Sequence, residues 1–174
     1  MSAAEPLRLP RPVETARLLL RPFTVDDAAA WLPLISLPEV LRFLGETPTA
    51  SVDEARRQLL ARPLHDYAAY GFGRMAVIEQ SSGRLVGFSG LKYVPALDEV
   101  DVGYRFLPDC WGKGYATESA AALMGAGRRE HGIGRIVGQV HPGHLASARV
   151  LVKLGLRFER RLVEDGEPID LYAC

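Results

Sequence analysis

The sequence has 174 residues, of which 48% are hydrophobic and 24% are charged, a combination typical of one soluble globular domain. Its 21 lysines and arginines balance 21 aspartates and glutamates, so net charge provides no overall attraction to nucleic acid or to a membrane surface. The two cysteines, Cys110 and Cys174, are too few and too far apart for a disulfide framework or a metal site.

The N-terminal residues 1–12 contain three prolines and lack the apolar core of a secretory leader. We expect them to form a poorly ordered tail that precedes a single domain over residues 13–174. The sequence also lacks a run of about 18 apolar residues, the length that crosses a bilayer. These features predict a cytoplasmic protein that does not insert into membranes.

The first predicted elements lie before residue 64. A short apolar run at residues 17–22 predicts a strand. Ser51 and Glu54 have the spacing of a capping box, in which each side chain satisfies a backbone N–H of the other, so we expect a helix over residues 52–61. Pro63 should end or kink that helix because proline lacks a backbone N–H.

The rest of the chain alternates between strand and helix patterns. Alternating or continuous apolar residues bounded by turn residues predict strands at 73–79, 85–94, 100–107, 135–140, 158–163 and 169–172. Helical spacing predicts a long helix over residues 117–129 and a shorter one over 145–154. In the strand at 100–107, Tyr104 shares a face with Val102 and Phe106, whereas Asp101 lies on the opposite face.

A glycine-rich turn separates the strand at 100–107 from the helix at 117–129. Gly112 and Gly114 straddle Lys113 there, and a turn of this kind brings unpaired N–H groups together at the positive end of the helix dipole. Such a position suits a phosphate. The same residues fit a plain tight turn in which both glycines adopt positive φ.

Two common phosphate-binding motifs do not match this turn. A Walker A loop needs glycine where Leu107 stands and serine or threonine where Gly114 stands. A dinucleotide-binding fingerprint needs a third glycine where Thr117 stands, and it belongs near the first strand of its fold. The turn must therefore be interpreted together with the rest of the chain.

Four segments occur in the order expected of one family: TARLLLRP at 15–22, DVGY at 101–104, WGKGYATE at 111–118 and SARVLVKLGL at 147–156. Together they resemble the GNAT superfamily of N-acetyltransferases, in particular its RimJ/RimL-type branch. The resemblance covers most of the chain. It implies a mixed α/β fold with a mostly antiparallel sheet of about six or seven strands, splayed between the fourth and fifth, and about four flanking helices.

The resemblance also implies acetyl-CoA as co-substrate. Its pantetheine arm would pair like an extra strand with Phe106 and Leu107, and His144 stands where the family commonly has a cofactor-binding asparagine. Lys113 either adds charge at the phosphates or belongs to the solvated surface. The diphosphate would lie on backbone N–H groups of Gly112, Lys113, Gly114, Tyr115, Ala116 and Thr117.

The resemblance suggests two catalytic candidates. Asp101 matches a position usually held by glutamate, which implies a base or an amine-orienting carboxylate that acts directly or through water. A solvated or paired carboxylate is the alternative, and Glu99 is the reserve candidate. Ser147 matches the serine that serves as the acid in the RimL-type branch, with a helix cap as the alternative. Leu151 replaces the tyrosine that other members use.

The predicted reaction is direct transfer of an acetyl group to a primary amine in a ternary complex. The acceptor would be a protein N-terminus or a small-molecule amine, with no metal involved, and a homodimer is possible. One alternative is a catalytically weak acyl-CoA sensor, because several family residues are replaced. Another is an aminoglycoside-modifying enzyme, although the sequence has no strongly acidic cluster to attract such a polycation.

Overall fold

A computed structural model describes residues 9–174, so residues 1–8 of the predicted tail lie outside the described part. Eight strands form one mixed sheet. The strands are β1 (Val13–Glu14), β2 (Leu18–Arg21), β3 (Arg74–Glu79), β4 (Leu85–Val94), β5 (Glu99–Phe106), β6 (Val137–Val140), β7 (Arg157–Glu164) and β8 (Glu167–Ala173). Their spatial order is β1-β2-β3-β4-β5-β6-β8-β7.

Helices flank the sheet. The α-helices are α1 (Ala28–Trp31), α2 (Pro38–Leu41), α3 (Val52–Leu59), α4 (His65–Tyr70), α5 (Tyr115–His131) and α6 (Leu145–Lys153). Short 3-10 turns lie at Val25–Asp27, Leu32–Ile35 and Pro108–Cys110. Over residues 9–174, none of the helices combines the length and the apolar character that crossing a membrane requires.

The helix that begins after Ser51 runs further than the sequence predicts. Ser51 accepts the N–H of Glu54 at 3.2 Å, which is one half of the predicted capping box, whereas the Glu54 carboxylate accepts the N–H of Ala50 at 3.1 Å. The chain does not end its helix near Pro63 but passes through a π turn, Leu60–Leu64, into α4. The wider π turn accommodates the proline, which cannot donate the regular helical hydrogen bond. Gly71 then ends α4 with a φ of 77°.

The sheet confirms the predicted fold. Its strands pair antiparallel except for β5 and β6, which are parallel and correspond to the predicted fourth and fifth strands. Within residues 9–174, β5 and β6 pair at one position, where Asp101 lies opposite Val137. Beyond that pair the two strands diverge. The additional strand is the two-residue β1, which pairs with β2.

Two hydrophobic layers cover the sheet and hold the helices that flank the gap. One layer contains Trp31 of α1 and Leu59 of α3. The other contains Leu123 of α5 and Leu151 of α6. Leu151 is 1% exposed, and burying a leucine contributes about 1.5–3 kcal/mol, so it anchors α6 firmly beside β6. This packing fixes the first turn of α6 next to the diverging strands.

Candidate functional site: a splayed strand pair and a glycine turn

The gap between β5 and β6 is the central feature of the site. It begins after the Asp101–Val137 pair, beyond which no further ladder pair joins the two strands within residues 9–174. Leu107 donates its N–H to Val86 O on the β4 side at 2.9 Å. Because neighbouring residues of a strand direct their backbone groups to opposite sides, the backbone groups of Phe106 point into the gap. The gap therefore offers a free strand edge to an extended ligand.

The structure separates two residues that the sequence pairs as cofactor contacts. Leu107 uses its N–H for Val86 and its C=O for the N–H of Cys110, so its backbone does not face the gap. Phe106 does face it, and its C=O accepts the indole Nε1–H of Trp111 at 2.8 Å. Trp111 is 51% exposed, so this indole covers the outer end of the gap without being buried.

The glycine turn has the backbone conformation that the sequence predicts. Gly112 and Gly114 have φ values of 75° and 80°, and Gly114 is the N-cap of α5. L-residues with a side chain rarely adopt these angles. An added Cβ at Gly112 would meet no atom within 4 Å, so the space in front of the turn is open.

A run of unused donors lines this open space. In the part of the chain that the structure describes, no backbone or side-chain acceptor takes the N–H groups of residues 112–117. The first intrahelical donor is Glu118, which donates to Gly114 O at 3.0 Å. The free N–H groups belong to Gly112, Lys113, Gly114, Tyr115, Ala116 and Thr117. Together with the helix dipole they form a ready anion-binding site, called the amide nest below.

Charged side chains surround the amide nest. Arg17 lies with its Cζ 4.7 Å from the ring centre of Tyr115 and pairs with Glu118 at 2.7 Å. Lys113 Nζ lies 5.8 Å from the same ring. Glu118 also accepts hydrogen bonds from Thr15 and from the N–H of Arg17. The segment before β2 is thereby tied to the first turn of α5.

A tyrosine and a serine form hydrogen bonds with each other beside the gap. Tyr104 of β5 donates its hydroxyl hydrogen to Ser147 O in α6 at 2.8 Å, and Ser147 Oγ donates to the Tyr104 hydroxyl at 3.2 Å. Burial raises the pKa of Tyr104 to about 12. Ser147 does not cap α6, because the cap residue is His144. The sequence placed Tyr104 on the apolar face and gave no signal of this contact.

His144 connects the start of α6 to the loop that follows α2. Its ring stacks on Phe43 with centroids 4.7 Å apart, and its side chain makes no capping hydrogen bond. Burial, reinforced by His141, lowers the pKa of His144, so the imidazole is neutral near pH 7. His141 lies 5.6 Å from Phe43 and accepts the N–H of Gly143. Nothing in the sequence pattern singled out Phe43.

Asp101 is buried at the point where β5 and β6 part. Its carboxylate accepts hydrogen bonds from Arg74 of β3 and from the N–H of Gln139 at 3.1 Å. Arg74 also donates to Asp101 O at 2.9 Å and lies over Gly103, where a Cβ would collide with it. Burial raises the pKa of Asp101, and Arg74 opposes that rise. Asp101 is thus a paired carboxylate, which is one of the alternatives that the sequence left open.

A second ion pair and an isolated acid complete this face of the sheet. Arg105 of β5 binds Glu46 at 2.9 Å and 3.1 Å and donates to Leu34 O, which ties the loop after α2 to the sheet. Burial alone would raise the pKa of Glu46, but Arg105 outweighs it and lowers the pKa. Asp66 of α4 is 7% exposed, and its Oδ1 lies 3.7 Å from Nδ1 of His65. Burial raises the pKa of Asp66.

Comparison with known proteins identifies the family. The profile of the acetyltransferase (GNAT) domain matches residues 17–157. The uncharacterized N-acetyltransferase p20 of Bacillus licheniformis is 27% identical, and the match covers 91% of each chain. The similarity to a protein named as an N-acetyltransferase thus extends over nearly the whole length of both chains.

Solved structures share the same fold. A GNAT-family acetyltransferase from Bacillus anthracis is similar with a TM-score of 0.79 at 25% identity, covering 94% of this chain and 98% of that one. The ribosomal L7/L12 α-N-protein acetyltransferase RimL, solved in complex with coenzyme A, reaches a TM-score of 0.80 at 19% identity. That match covers 94% of this chain and 97% of RimL.

Proposed function

From the premise that this chain belongs to the GNAT acetyltransferase family, we propose that it transfers the acetyl group of acetyl-CoA directly to a primary amine. The acceptor is a protein N-terminal amine or a small-molecule amine, bound together with acetyl-CoA in a ternary complex. The chain is an acyltransferase by family, and the proposal adds the direct mechanism and the class of acceptor.

The proposal rests on one observation. The amide nest follows β5, and the edge of β5 that faces away from β4 is unpaired beyond Asp101. Unused N–H groups at residues 112–117 suit a diphosphate, and the unpaired edge of β5 suits the amide-bearing pantetheine arm. The residues present therefore fit coenzyme A. Phe106 would offer its backbone N–H at the strand edge, because its C=O already accepts from Trp111, and Lys113 would add positive charge beside the nest.

Acetyl-CoA supplies the acetyl group as a thioester, and residues of this chain would position it. His144 flanks the gap at the start of α6 and would contact the pantetheine arm. Ser147 would donate a proton to the departing sulfur. Asp101 would orient or deprotonate the amine. It first has to release a hydrogen bond that it accepts from Arg74 or from the N–H of Gln139, so it is the less accessible of the two catalytic candidates.

The acceptor we favour is an α-amino group, as in the RimJ/RimL-type branch. An α-amine has a pKa of about 7.7–8.0, so roughly a tenth is neutral at pH 7 and little help from a base is needed. The acceptor side of the sheet supports this choice over a polycation. Its carboxylates Glu46 and Asp101 are already neutralised by Arg105 and Arg74, so they offer no acidic cluster for an aminoglycoside.

Thiol release from acetyl-CoA with a panel of amines tests the proposal. The panel contains short peptides with free N-termini, the same peptides with blocked N-termini and free lysines, and an aminoglycoside. We expect thiol release with free N-termini and little with the lysine-only peptides. Calorimetric binding of coenzyme A without thiol release for any amine would instead support an acyl-CoA sensor.

A further inference from the structure

Hydrogen bonds join Tyr104 of β5 to Ser147 of α6 beside the gap between β5 and β6. Tyr104 lies beyond the Asp101–Val137 pair, in the part of β5 that has parted from β6. Ser147 belongs to the first turn of α6, which Leu151 anchors in the core. The two hydroxyl oxygens lie 3.2 Å apart. Both hydroxyl groups therefore lie beside the unpaired part of β5, the position at which the proposed function places the thioester end of the ligand.

The directions of the hydrogen bonds are restricted. A tyrosine hydroxyl has one hydrogen to donate, and Tyr104 donates it to Ser147 O at 2.8 Å. Tyr104 can therefore only accept from the serine hydroxyl. Its pKa is raised to about 12 by burial, so the phenol keeps its hydrogen throughout the neutral range. The arrangement holds one orientation of Ser147 Oγ.

Without Tyr104, Ser147 would have a competing partner in its own helix. Serine in a helix commonly donates to a main-chain carbonyl three or four residues earlier, here that of His144 or Gly143. Such a bond would turn the hydroxyl away from the gap. The phenol oxygen instead holds it at the gap, where it can exchange its partner for a departing sulfur.

We propose that Tyr104 is a positioning residue that keeps the hydroxyl of Ser147 directed into the gap for protonation of the leaving thiolate. This inference rests on the proposed acetyl transfer. In that transfer the amine nitrogen bonds to the acetyl carbon and the carbon–sulfur bond breaks. Ser147 gives its proton to the sulfur, and the proton released by the amine nitrogen restores the hydroxyl.

The kinetic test compares Tyr104→Phe, Ser147→Ala and the double variant with Tyr93→Phe. Tyr93 is the control because its hydroxyl donates to Asp98 on an exposed turn, at 2.7 Å. We expect Tyr104→Phe to lower kcat about 10-fold with KM for acetyl-CoA changed less than about twofold. In the Ser147→Ala background it should lower kcat less than about twofold, because both changes remove the same function. Wild-type kcat in Tyr104→Phe, or effects that multiply, would overturn the proposal.

A crystal structure of Tyr104→Phe supplies a readout that does not depend on activity. We expect Ser147 Oγ to rotate towards the carbonyl of His144 or Gly143, while α6 keeps its place. An unchanged Ser147 rotamer would contradict positioning by Tyr104 even if the enzyme is slow. If the wild-type protein releases no thiol with any amine, the proposed function fails, and the rotamer still decides whether Tyr104 orients Ser147.

Discussion

The two sides of the proposed site differ in the chemical groups that form them. The proposed cofactor side consists of backbone: the amide nest at residues 112–117 and the free edge of β5. The proposed acceptor side consists of side chains held in pairs, Arg74 with Asp101 and Arg105 with Glu46. Backbone donors require little more than glycine at the right angles, whereas each ion pair requires two particular side chains in contact.

This difference predicts different sensitivities to substitution. A change at the glycine turn should alter ligand binding while leaving the sheet intact, because an added Cβ at Gly112 meets nothing within 4 Å and one at Gly114 meets only Arg17. A change at Arg74 or Asp101 should destabilise the fold, because these side chains fasten β3, β5 and β6 together at the apex of the gap.

The largest effect on ligand binding is expected at Gly114. Replacing Gly114 by tryptophan should lower the affinity for coenzyme A at least about 100-fold, since the indole covers the N–H groups that would bind the diphosphate. Isothermal titration calorimetry with coenzyme A measures it. The strained positive φ of 80° at Gly114 should also cost about 1–2 kcal/mol of stability.

Gly83→Trp is the matched control for this variant. Gly83 has a φ of 70° and lies in the turn between β3 and β4, and an added Cβ there would meet nothing within 4 Å, whereas one at Gly114 would meet only Arg17 at 3.5 Å. It should lose similar stability and keep the affinity for coenzyme A. Equal loss of affinity in both variants would show that strain, and not the blocked amide nest, explains the result.

The largest effect on stability is expected on the proposed acceptor side. Arg74→Met leaves the Asp101 carboxylate buried without its cation, and we expect the free energy of unfolding to fall by about 3–5 kcal/mol. The double variant Arg74→Met with Asp101→Asn should recover much of that loss, because the uncompensated charge is gone. Urea unfolding at pH 7 measures both, in the absence of coenzyme A.

Arg84→Met controls for the loss of an ion pair in an exposed place. Arg84 pairs with Asp109 at 2.6 Å, but the two side chains are 48% and 58% exposed. Solvent screens such a pair, so its loss should cost about 1 kcal/mol or less. If Arg74→Met costs no more than Arg84→Met, the apex of the gap does not depend on the buried pair.

The same difference explains what could be predicted from the sequence. The amide nest comprises consecutive residues, and its glycines show their role through local spacing. The partners of the acceptor side are 27 residues apart for Arg74 and Asp101 and 59 apart for Arg105 and Glu46. No periodicity connects such positions, because the sheet register brings them together only after folding.

The elements around the site follow the same rule. Apolar alternation predicted the strands and the family resemblance predicted their divergence, and the structure confirms the fold. The prediction that Pro63 ends or kinks its helix did not include the π turn that carries the chain on into α4, because that turn depends on the packing of α3 and α4. Tyr104 was placed on the correct face as a hydrophobic residue, and only the structure shows its hydroxyl against Ser147.

The smallest effect is expected at Asp66, the acid of the acceptor side that has no arginine partner in the described residues. Burial raises its pKa, so the folded state favours the protonated form and ionisation above the ordinary value of 3.8 costs stability. Asp66→Asn should therefore be more stable than the wild type at pH 7, and the difference should disappear as the pH falls towards that value.

Urea unfolding midpoints between pH 7 and pH 4 measure this difference, with Asp165→Asn as the control. Asp165 is exposed in the turn between β7 and β8 at a φ of 49°, a conformation that asparagine tolerates well. A less stable Asp66→Asn protein at pH 7 would mean that Lys92 and Arg74 stabilise the carboxylate more than burial disfavours it. Neighbouring cations would then stabilise the charged form of Asp66 as well, and the proposed acceptor side would be sensitive to substitution at Asp66 in addition to its two arginine pairs.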